Sequence, residues 1–202
     1  NATTPELRAR NARAIDRRRG RTIVFPIRYA DDFLLLVGAS PGPDQDERAR
    51  QDAEKEKTAV AALLKEKLGL ELSEEKTRVT KVTEVFPFLG HHVCVRYNRK
   101  FKKVSCVTLI PKERSHGLRE RIKRICRRSR TGQSTHDLLV DLNWLLRGWS
   151  NFYRHAWGAK RVFSSIDYYT WWTVLRWLRK KHGHASTKTL KELQARREEL
   201  NL

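Results

Sequence analysis

The chain has 202 residues and a formal net charge of +20 at pH 7, with 43 Lys and Arg against 23 Asp and Glu. Hydrophobic residues make up 39% and aromatic residues 9%, which is too apolar a composition for a disordered tail. So high a charge is unusual for an enzyme of small metabolites and predicts a polyanionic partner, of which nucleic acid is the commonest. No apolar run approaches the roughly 18 residues that a membrane span needs, so no membrane partner is expected.

The residues at the start of the chain and the cysteines describe its context. There is no Met and the first residue is Asn1, so we expect part of a longer protein. The three cysteines, Cys94, Cys106 and Cys126, form no Cys-x-x-Cys pair, which disfavours a zinc site and a disulfide framework. Reduced cysteines predict a reducing compartment.

The first half of the chain is predicted to contain hairpins and one long helix. Two apolar strands, at 22–29 and 33–37, flank a short acidic segment and predict a β-hairpin with Asp31 and Asp32 at its tip. The other elements follow from periodicity and from turn residues: a short Arg-rich helix at 5–20, a helix at 46–68 ended by Gly69, an extended segment at 78–85, and a second hairpin at 93–97 and 104–110 in which Cys94 and Cys106 are expected to be cross-strand neighbours.

Three helix-like stretches follow Pro111, which we predict to be a domain boundary. Apolar residues recur at helical spacing in each stretch, and short loops join them, as is typical of a small bundle. Residues 112–182 hold 17 basic and 5 acidic residues and all six tryptophans. Large aromatic side chains dominate small cores, so four of these are predicted to be core residues: Trp144, Trp149, Trp171 and Trp172. The alternative is that they stack on nucleic-acid bases. Residues 183–202 are predicted to form a helical tail of mixed charge.

The first of these helices carries rows of cations that predict contact with RNA phosphates. Arg and Lys recur at helical spacing between 119 and 130, where seven basic residues accompany only Glu120. Such a row predicts salt-sensitive binding without sequence preference. The alternative is a solvated helix face with no ligand. The candidate RNA-binding set is Arg119, Lys123, Arg124, Arg127, Arg128, Arg130, Arg147 and Arg154.

The acidic pair in the first hairpin is the sharpest chemical signal. Adjacent ionised carboxylates of Asp31 and Asp32 repel each other unless a cation neutralises them. Mg²⁺ is typically held by one or two carboxylates together with phosphate oxygens, and two such ions can clamp the reacting oxygens of a phosphoryl transfer. Asp is also common in turns that bind nothing, so the pair by itself leaves both interpretations open.

Four segments, taken in chain order, resemble the group II intron-encoded reverse transcriptases. Residues 24–37, with Tyr-Ala-Asp-Asp at their centre, resemble the palm hairpin of that family. Residues 68–77 resemble a helix exit that ends in Lys-Thr, and residues 86–91 resemble the Phe-Leu-Gly turn of the primer grip. Residues 142–154 resemble the signature of the thumb, the maturase domain often called domain X. The ordered set covers most of residues 22–178.

The resemblance implies an α+β fold with three parts. These are the C-terminal part of a reverse-transcriptase palm at 1–111, made of antiparallel hairpins plus a helix, then a helical thumb or maturase domain X at 112–182, and then the tail at 183–202. By analogy Asp31 is the direct Mg²⁺ ligand and Asp32 a weaker one. Residues expected near primer, nucleotide or phosphates are Tyr29, Ala30, Lys76, Phe88, Leu89 and Gly90.

The activity that the resemblance implies is Mg²⁺-dependent RNA-directed DNA polymerisation combined with intron-RNA binding. The implied partners are structured intron RNA, an RNA template, a DNA primer and a dNTP, in a bacterial cytoplasmic ribonucleoprotein, with an organelle left open. Upstream of Asp31 only Glu6 and Asp16 are acidic, so the family's third palm carboxylate has no counterpart. We therefore expect the chain to need a missing N-terminal portion, fingers included, and to be inactive alone. Two alternatives are a non-catalytic RNA-binding maturase module and a reverse transcriptase of a defence or diversity-generating system.

Overall fold

The computed structural model describes residues 4–39, 41–99, 102–127 and 130–182. The mixture of helices and antiparallel strands confirms the α+β class, and the chain divides into two compact units, residues 1–81 and 82–202. The elements in chain order are α1 (Pro5–Arg18), β1 (Ile23–Tyr29), β2 (Asp32–Gly38), α2 (Gln45–Leu68), β3 (Phe86–Phe88), β4 (His91–Asn98), β5 (Lys103–Leu109), α3 (Lys112–Ile125), α4 (Thr135–Tyr153) and α5 (Ala159–His182). The predicted tail at 183–202 lies outside the described residues.

The first unit consists of α1, the β1–β2 hairpin and α2. The predicted hairpin is present, since β1 and β2 pair antiparallel. As predicted, α2 ends at Gly69, which takes a left-handed φ of 64° that glycine adopts without steric cost. The Thr22 hydroxyl, just before β1, donates a hydrogen bond to the Asp52 carboxylate of α2. That bond lowers the pKa of Asp52, and a second hydrogen bond, which Lys55 donates to the same carboxylate, lowers it further.

The apolar side chains of the first unit remain open to solvent. None of the described residues up to 81 is fully buried, and Phe25, Phe33 and Leu63 are all exposed. A hairpin and two helices of this size do not enclose a core, because each apolar face is covered by only one neighbour. The described part of this unit therefore presents unpaired apolar surface.

The second unit begins with a three-stranded antiparallel sheet in the order β3-β4-β5. The predicted hairpin is present as β4 and β5. In the segment 78–85, which was predicted to be extended, residues 82–84 form a turn and a bend. The cysteine prediction is wrong in register: Cys94 lies opposite Val107, and Cys106 lies opposite Val95. Since neighbouring positions on a strand face opposite sides, Cys94 is buried while Cys106 is exposed.

The sheet belongs to the same unit as the helices, so the division at residues 81 and 82 differs from the boundary predicted at Pro111. Two hydrogen bonds tie the sheet to the α4 end of the bundle. The backbone N–H of Trp157 donates to the carbonyl of Thr108 at 2.7 Å, and the Tyr153 hydroxyl donates to the carbonyl of Gly90 at 3.1 Å. Pro111 is thus a local break within one packed unit.

The hydrophobic core lies among α3, α4 and α5. The Ser134 hydroxyl caps α4 by accepting from the backbone N–H of Asp137 at 3.0 Å. Eight buried side chains form the centre of the core: Leu118, Ile122, Leu138, Leu142, Ile166, Val174, Trp177 and Leu178. Within the ranges that the structure describes, no helix is long and apolar enough to cross a membrane.

The tryptophans are placed differently from the prediction. Trp177 is the tryptophan at the centre of the core, 1% exposed, whereas Trp144 is 78% exposed on the outer face of α4. Trp149 packs against the edge of the core, and Trp172 is exposed on α5. The prediction of a core position is therefore wrong for Trp144 and Trp172. A three-helix bundle buries one stripe of each helix, and Trp144 and Trp172 lie outside the buried stripes of α4 and α5.

Candidate nucleic-acid interface and acidic turn

The acidic turn, residues 29–32, is held by the pairing of β1 with β2. Tyr29 lies opposite Asp32, so Ala30 and Asp31 form a two-residue turn. Ala30 has a φ of 53°, a region that hairpin turns use but that an Ala side chain disfavours. The guanidinium Nε of Arg28 donates to the Ala30 carbonyl at 2.8 Å and braces the turn. Both aspartates are exposed at the tip, as the sequence predicts.

The acidic turn offers two adjacent carboxylates as candidate metal ligands. Neither Asp31 nor Asp32 forms an ion pair with another described residue. No group of three His, Cys, Asp or Glu side chains comes together in the described ranges either. Exposed, unpaired carboxylate oxygens suit Mg²⁺, which completes its shell with water and phosphate oxygens. Asp31 and Asp32 therefore fit part of a Mg²⁺ site.

The other residues predicted around the acidic turn are also exposed. Tyr29 is 64% exposed beside it, so its phenol is open to a ligand. Lys76 lies in a turn after α2, where its backbone N–H donates to the carbonyl of Ser73 at 3.2 Å. Its ammonium group is exposed and available to an anion.

The Phe-Leu-Gly turn, residues 88–90, connects β3 to β4. Leu89 and Gly90 have φ values of 48° and 76°, which is the type I′ geometry of a two-residue hairpin turn. A Cβ atom added to Gly90 would lie 3.4 Å from the ring of Phe152. The position therefore favours glycine for its backbone angle, while the contact of an added Cβ with the ring would be an ordinary van der Waals contact.

The end of α4 packs directly onto this turn through aromatic rings. The His91 ring centroid lies 4.8 Å from that of Phe152 and 5.0 Å from that of Tyr153. The Tyr153 hydroxyl bonds the Gly90 carbonyl, and burial raises the pKa of this tyrosine. The predicted primer-grip residues and the thumb-like helix are thus one packed cluster. Sequence reasoning missed this link, because it joins residues 63 positions apart.

Gly90→Ala is expected to lower the free energy of unfolding by about 1–3 kcal/mol, because Ala would take a left-handed φ. Gly117→Ala is the matched control: Gly117 lies within α3, and its added Cβ meets no atom within 4 Å. Since Ala is the better helix former, this control should stabilise the protein by about 0.5–1 kcal/mol. Urea unfolding of both variants measures the difference, and shifts of the same sign would contradict it.

The cation rows of α3 are not uniformly directed to solvent. Arg119 is half-buried; its Nη2 donates to the Ser165 hydroxyl at 2.7 Å, and its guanidinium lies 5.6 Å from the ring centroid of Tyr169. This arginine therefore joins α3 to α5, and its buried Nε has no protein partner. The sequence pattern could not reveal this role, because it depends on the packing of the two helices.

The other described members of the candidate RNA-binding set lie at the surface of the second unit. Lys123 is 3.8 Å from Glu120 and Arg130 is 3.3 Å from Asp141. Both are exposed pairs, in which a competing phosphate displaces little interaction energy. Arg154 donates to the Nε2 atom of His155 at 2.9 Å. The others with exposed side chains are Arg124, Arg127 and Arg147, and Arg128 lies outside the described residues.

The comparison with protein families places this cationic surface in a known domain. Residues 116–196 match the family described as Group II intron, maturase-specific domain. This region includes most of α3 and all of α4 and α5. It contains all eight candidate RNA-binding residues.

Two curated proteins illustrate the similarity. Group II intron-encoded protein LtrA of Lactococcus lactis subsp. cremoris is 34% identical over 77 residues, which are 38% of this chain and 11% of LtrA. Protein YkfC of Escherichia coli strain K12 is 32% identical over 88 residues, which are 44% of this chain and 20% of YkfC. The aligned part is thus a small share of either relative, and no solved structure matches.

Residues 116–196 are thus similar to the maturase-specific domain of group II introns, and part of the chain is similar to a group II intron-encoded protein.

Proposed function

We propose that the protein binds intron RNA through the exposed cations of its second unit. The proposal is carried by three properties that coincide in residues 112–182. These residues enclose a buried core, they include 17 basic and 5 acidic residues, and most of them match a maturase-specific domain. A folded surface with a large excess of cations binds a polyanion without first having to be ordered.

The contacts expected are mainly with phosphates and ribose. A-form RNA has a deep, narrow major groove that side chains do not read, so helix-borne Arg and Lys bind its backbone and shape. The unpaired cations Arg124, Arg127 and Arg147 are the best candidates for such contacts. Arg119 is excluded from this role, since its guanidinium is engaged with α5.

A salt series tests the proposal. The full chain is expected to bind a labelled RNA hairpin of roughly 20 base pairs with an affinity that falls steeply as salt rises. Arg124→Ala and Arg127→Ala should each weaken binding and reduce the slope of log K against log[salt] by about 1. Lys65→Ala, in an exposed pair with Glu71 of the first unit, is the matched control and should leave the slope unchanged. A wild-type affinity that is flat in salt would refute phosphate binding.

A second function is supported by the acidic turn. We propose that Asp31 and Asp32 contribute to the Mg²⁺ site of an RNA-directed DNA polymerase whose partners are an RNA template, a DNA primer and a dNTP. The supporting observation is a braced antiparallel hairpin that presents both unpaired carboxylates at its tip. When bound, Mg²⁺ would supply neutralisation of phosphate charge, while the chain itself supplies the rigid mount.

This second function requires protein residues that the described part of the chain does not bring to the acidic turn. The unpaired apolar surface of the first unit supports an added N-terminal portion of a palm, which would cover Phe25 and Phe33 and provide further carboxylates. The cellular form proposed is a cytoplasmic ribonucleoprotein. The maturase-specific match favours an intron-related protein over a reverse transcriptase of a defence or diversity-generating system. Metal-dependent primer extension by the completed enzyme is the test.

A further inference from the structure

The outer face of α5 carries a stripe in which two aromatic rings are flanked by arginines. The spacing of its members, three, four or seven residues, places them on one side of a helix. Tyr168 is 68% exposed and Trp172 is 41% exposed, and their ring centroids lie 6.1 Å apart in an edge-on arrangement. The stripe, called the α5 stripe below, consists of Arg161, Tyr168, Trp172, Arg176 and Arg179.

The packing of α5 explains why these rings face outward. The core takes Ile166, Val174, Trp177 and Leu178 from the opposite side of the helix. Arg119 of α3 contacts Ser165 and Tyr169 beside the stripe, so α3 borders the stripe without covering it.

One cation of the stripe is held against its own helix. The Nε of Arg176 donates to the Trp172 carbonyl at 3.1 Å, and its Nη2 lies 3.5 Å from the Thr173 hydroxyl. These two bonds fix the guanidinium and leave its remaining N–H groups for a ligand. Asp167 is the only acidic residue of α5 in the sequence, and it lies about a quarter-turn around the helix from Tyr168. The stripe is therefore cationic along its length.

The combination of groups selects the kind of RNA that fits. A duplex offers phosphates to the arginines but keeps its bases stacked on each other, so exposed rings would gain little from it. An unpaired strand offers phosphates and free base faces, and aromatic side chains stack on such bases whatever their sequence. The charge of the stripe opposes an apolar or basic protein partner.

We propose that the α5 stripe binds an unpaired segment of RNA, with Tyr168 and Trp172 stacking on bases and the flanking arginines contacting phosphates. This inference rests on the proposed RNA-binding function and adds to it the structural state of the RNA. It concerns a helix face separate from Arg124 and Arg127, which lie on α3 and its exit.

The experiment uses the full chain and two labelled probes, a single-stranded oligouridylate of about 12 nucleotides and a blunt RNA duplex of similar length, both at one salt concentration. Trp172→Ala is expected to weaken binding of the single strand by about 5- to 150-fold while changing duplex binding less than about 2-fold. Trp172→Phe should recover most of the loss, since the Phe ring also stacks. Tyr168→Ala should act in the same direction as Trp172→Ala.

The matched control is Trp144→Ala, which removes a tryptophan of even greater exposure from α4, and it should leave both affinities unchanged. Equal losses for Trp144→Ala and Trp172→Ala, or a Trp172→Ala loss that is the same for both probes, would overturn the inference. Unchanged single-strand affinity of the Trp172→Ala variant would also overturn the inference. If the wild type binds the duplex in that case, the RNA-binding proposal would stand. A wild type that binds neither probe would refute both.

Discussion

Replacing Asp31 by Ala is expected to abolish Mg²⁺-dependent cDNA synthesis by a complete reverse transcriptase that contains this chain. Asp31 occupies the turn position between two paired strands, and its carboxylate has no protein partner among the described residues. In the proposed Mg²⁺ site, its removal would take away one of two metal ligands, and the carboxylate of Asp32 alone would not hold the ion in place. Primer extension on an RNA template, with and without Mg²⁺, measures the loss.

Two controls separate this loss from misfolding. Asp16→Ala removes another acidic residue of the first unit, which pairs with Arg21 at 3.7 Å, and should leave synthesis unchanged. RNA binding should also be unaffected by Asp31→Ala, because the candidate phosphate contacts belong to the second unit. Full cDNA synthesis by the Asp31→Ala enzyme would exclude a catalytic role for the acidic turn.

Trp177→Ala is expected to lower the free energy of unfolding of the second unit by about 3–5 kcal/mol. The side chain is the largest one fully buried in the described residues, and it lies against α3 and α4 within the core. Its removal loses the transfer free energy of the indole and leaves a cavity that three packed helices close only in part. Chemical denaturation followed by circular dichroism measures the change.

The comparison with two other substitutions makes this prediction specific. Trp144→Ala, on the solvent side of α4, should change stability by less than about 0.5 kcal/mol. Trp177→Phe should cost less than Trp177→Ala, both because it keeps ring volume and because it removes a buried indole N–H that has no partner. Similar losses for Trp144→Ala and Trp177→Ala would show that the core is not where the structure places it.

The elements predicted best from the sequence are those set by neighbouring residues. The β1–β2 hairpin follows from alternating apolar strands around Ala30 and Asp31, and the end of α2 follows from Gly69. In both cases the deciding interaction spans a few residues, so its signal is complete within one short segment. The sequence therefore predicts correctly that Asp31 and Asp32 lie at the tip of a hairpin.

The features that the sequence did not predict depend on contacts between distant segments. Helical spacing marks Trp144, Trp172 and Trp177 alike as apolar, but only the packing of three helices decides which one is buried. The pairing of β3 with β4 and the bond from Tyr153 to Gly90 link the sheet to the helices on the other side of Pro111. The α5 stripe had a readable signal, because Arg176 follows Trp172 at i+4.

The uneven distribution of buried side chains bears on how such a protein can evolve. Every fully buried side chain described lies in residues 82–202, and the acidic turn lies outside that unit. Substitutions that erase the carboxylates leave the packing of the helical unit untouched. Selection on the proposed nucleotide chemistry and on the proposed RNA affinity would therefore act on separate sets of residues. A lineage that lost the first under drift would still inherit a folded second unit.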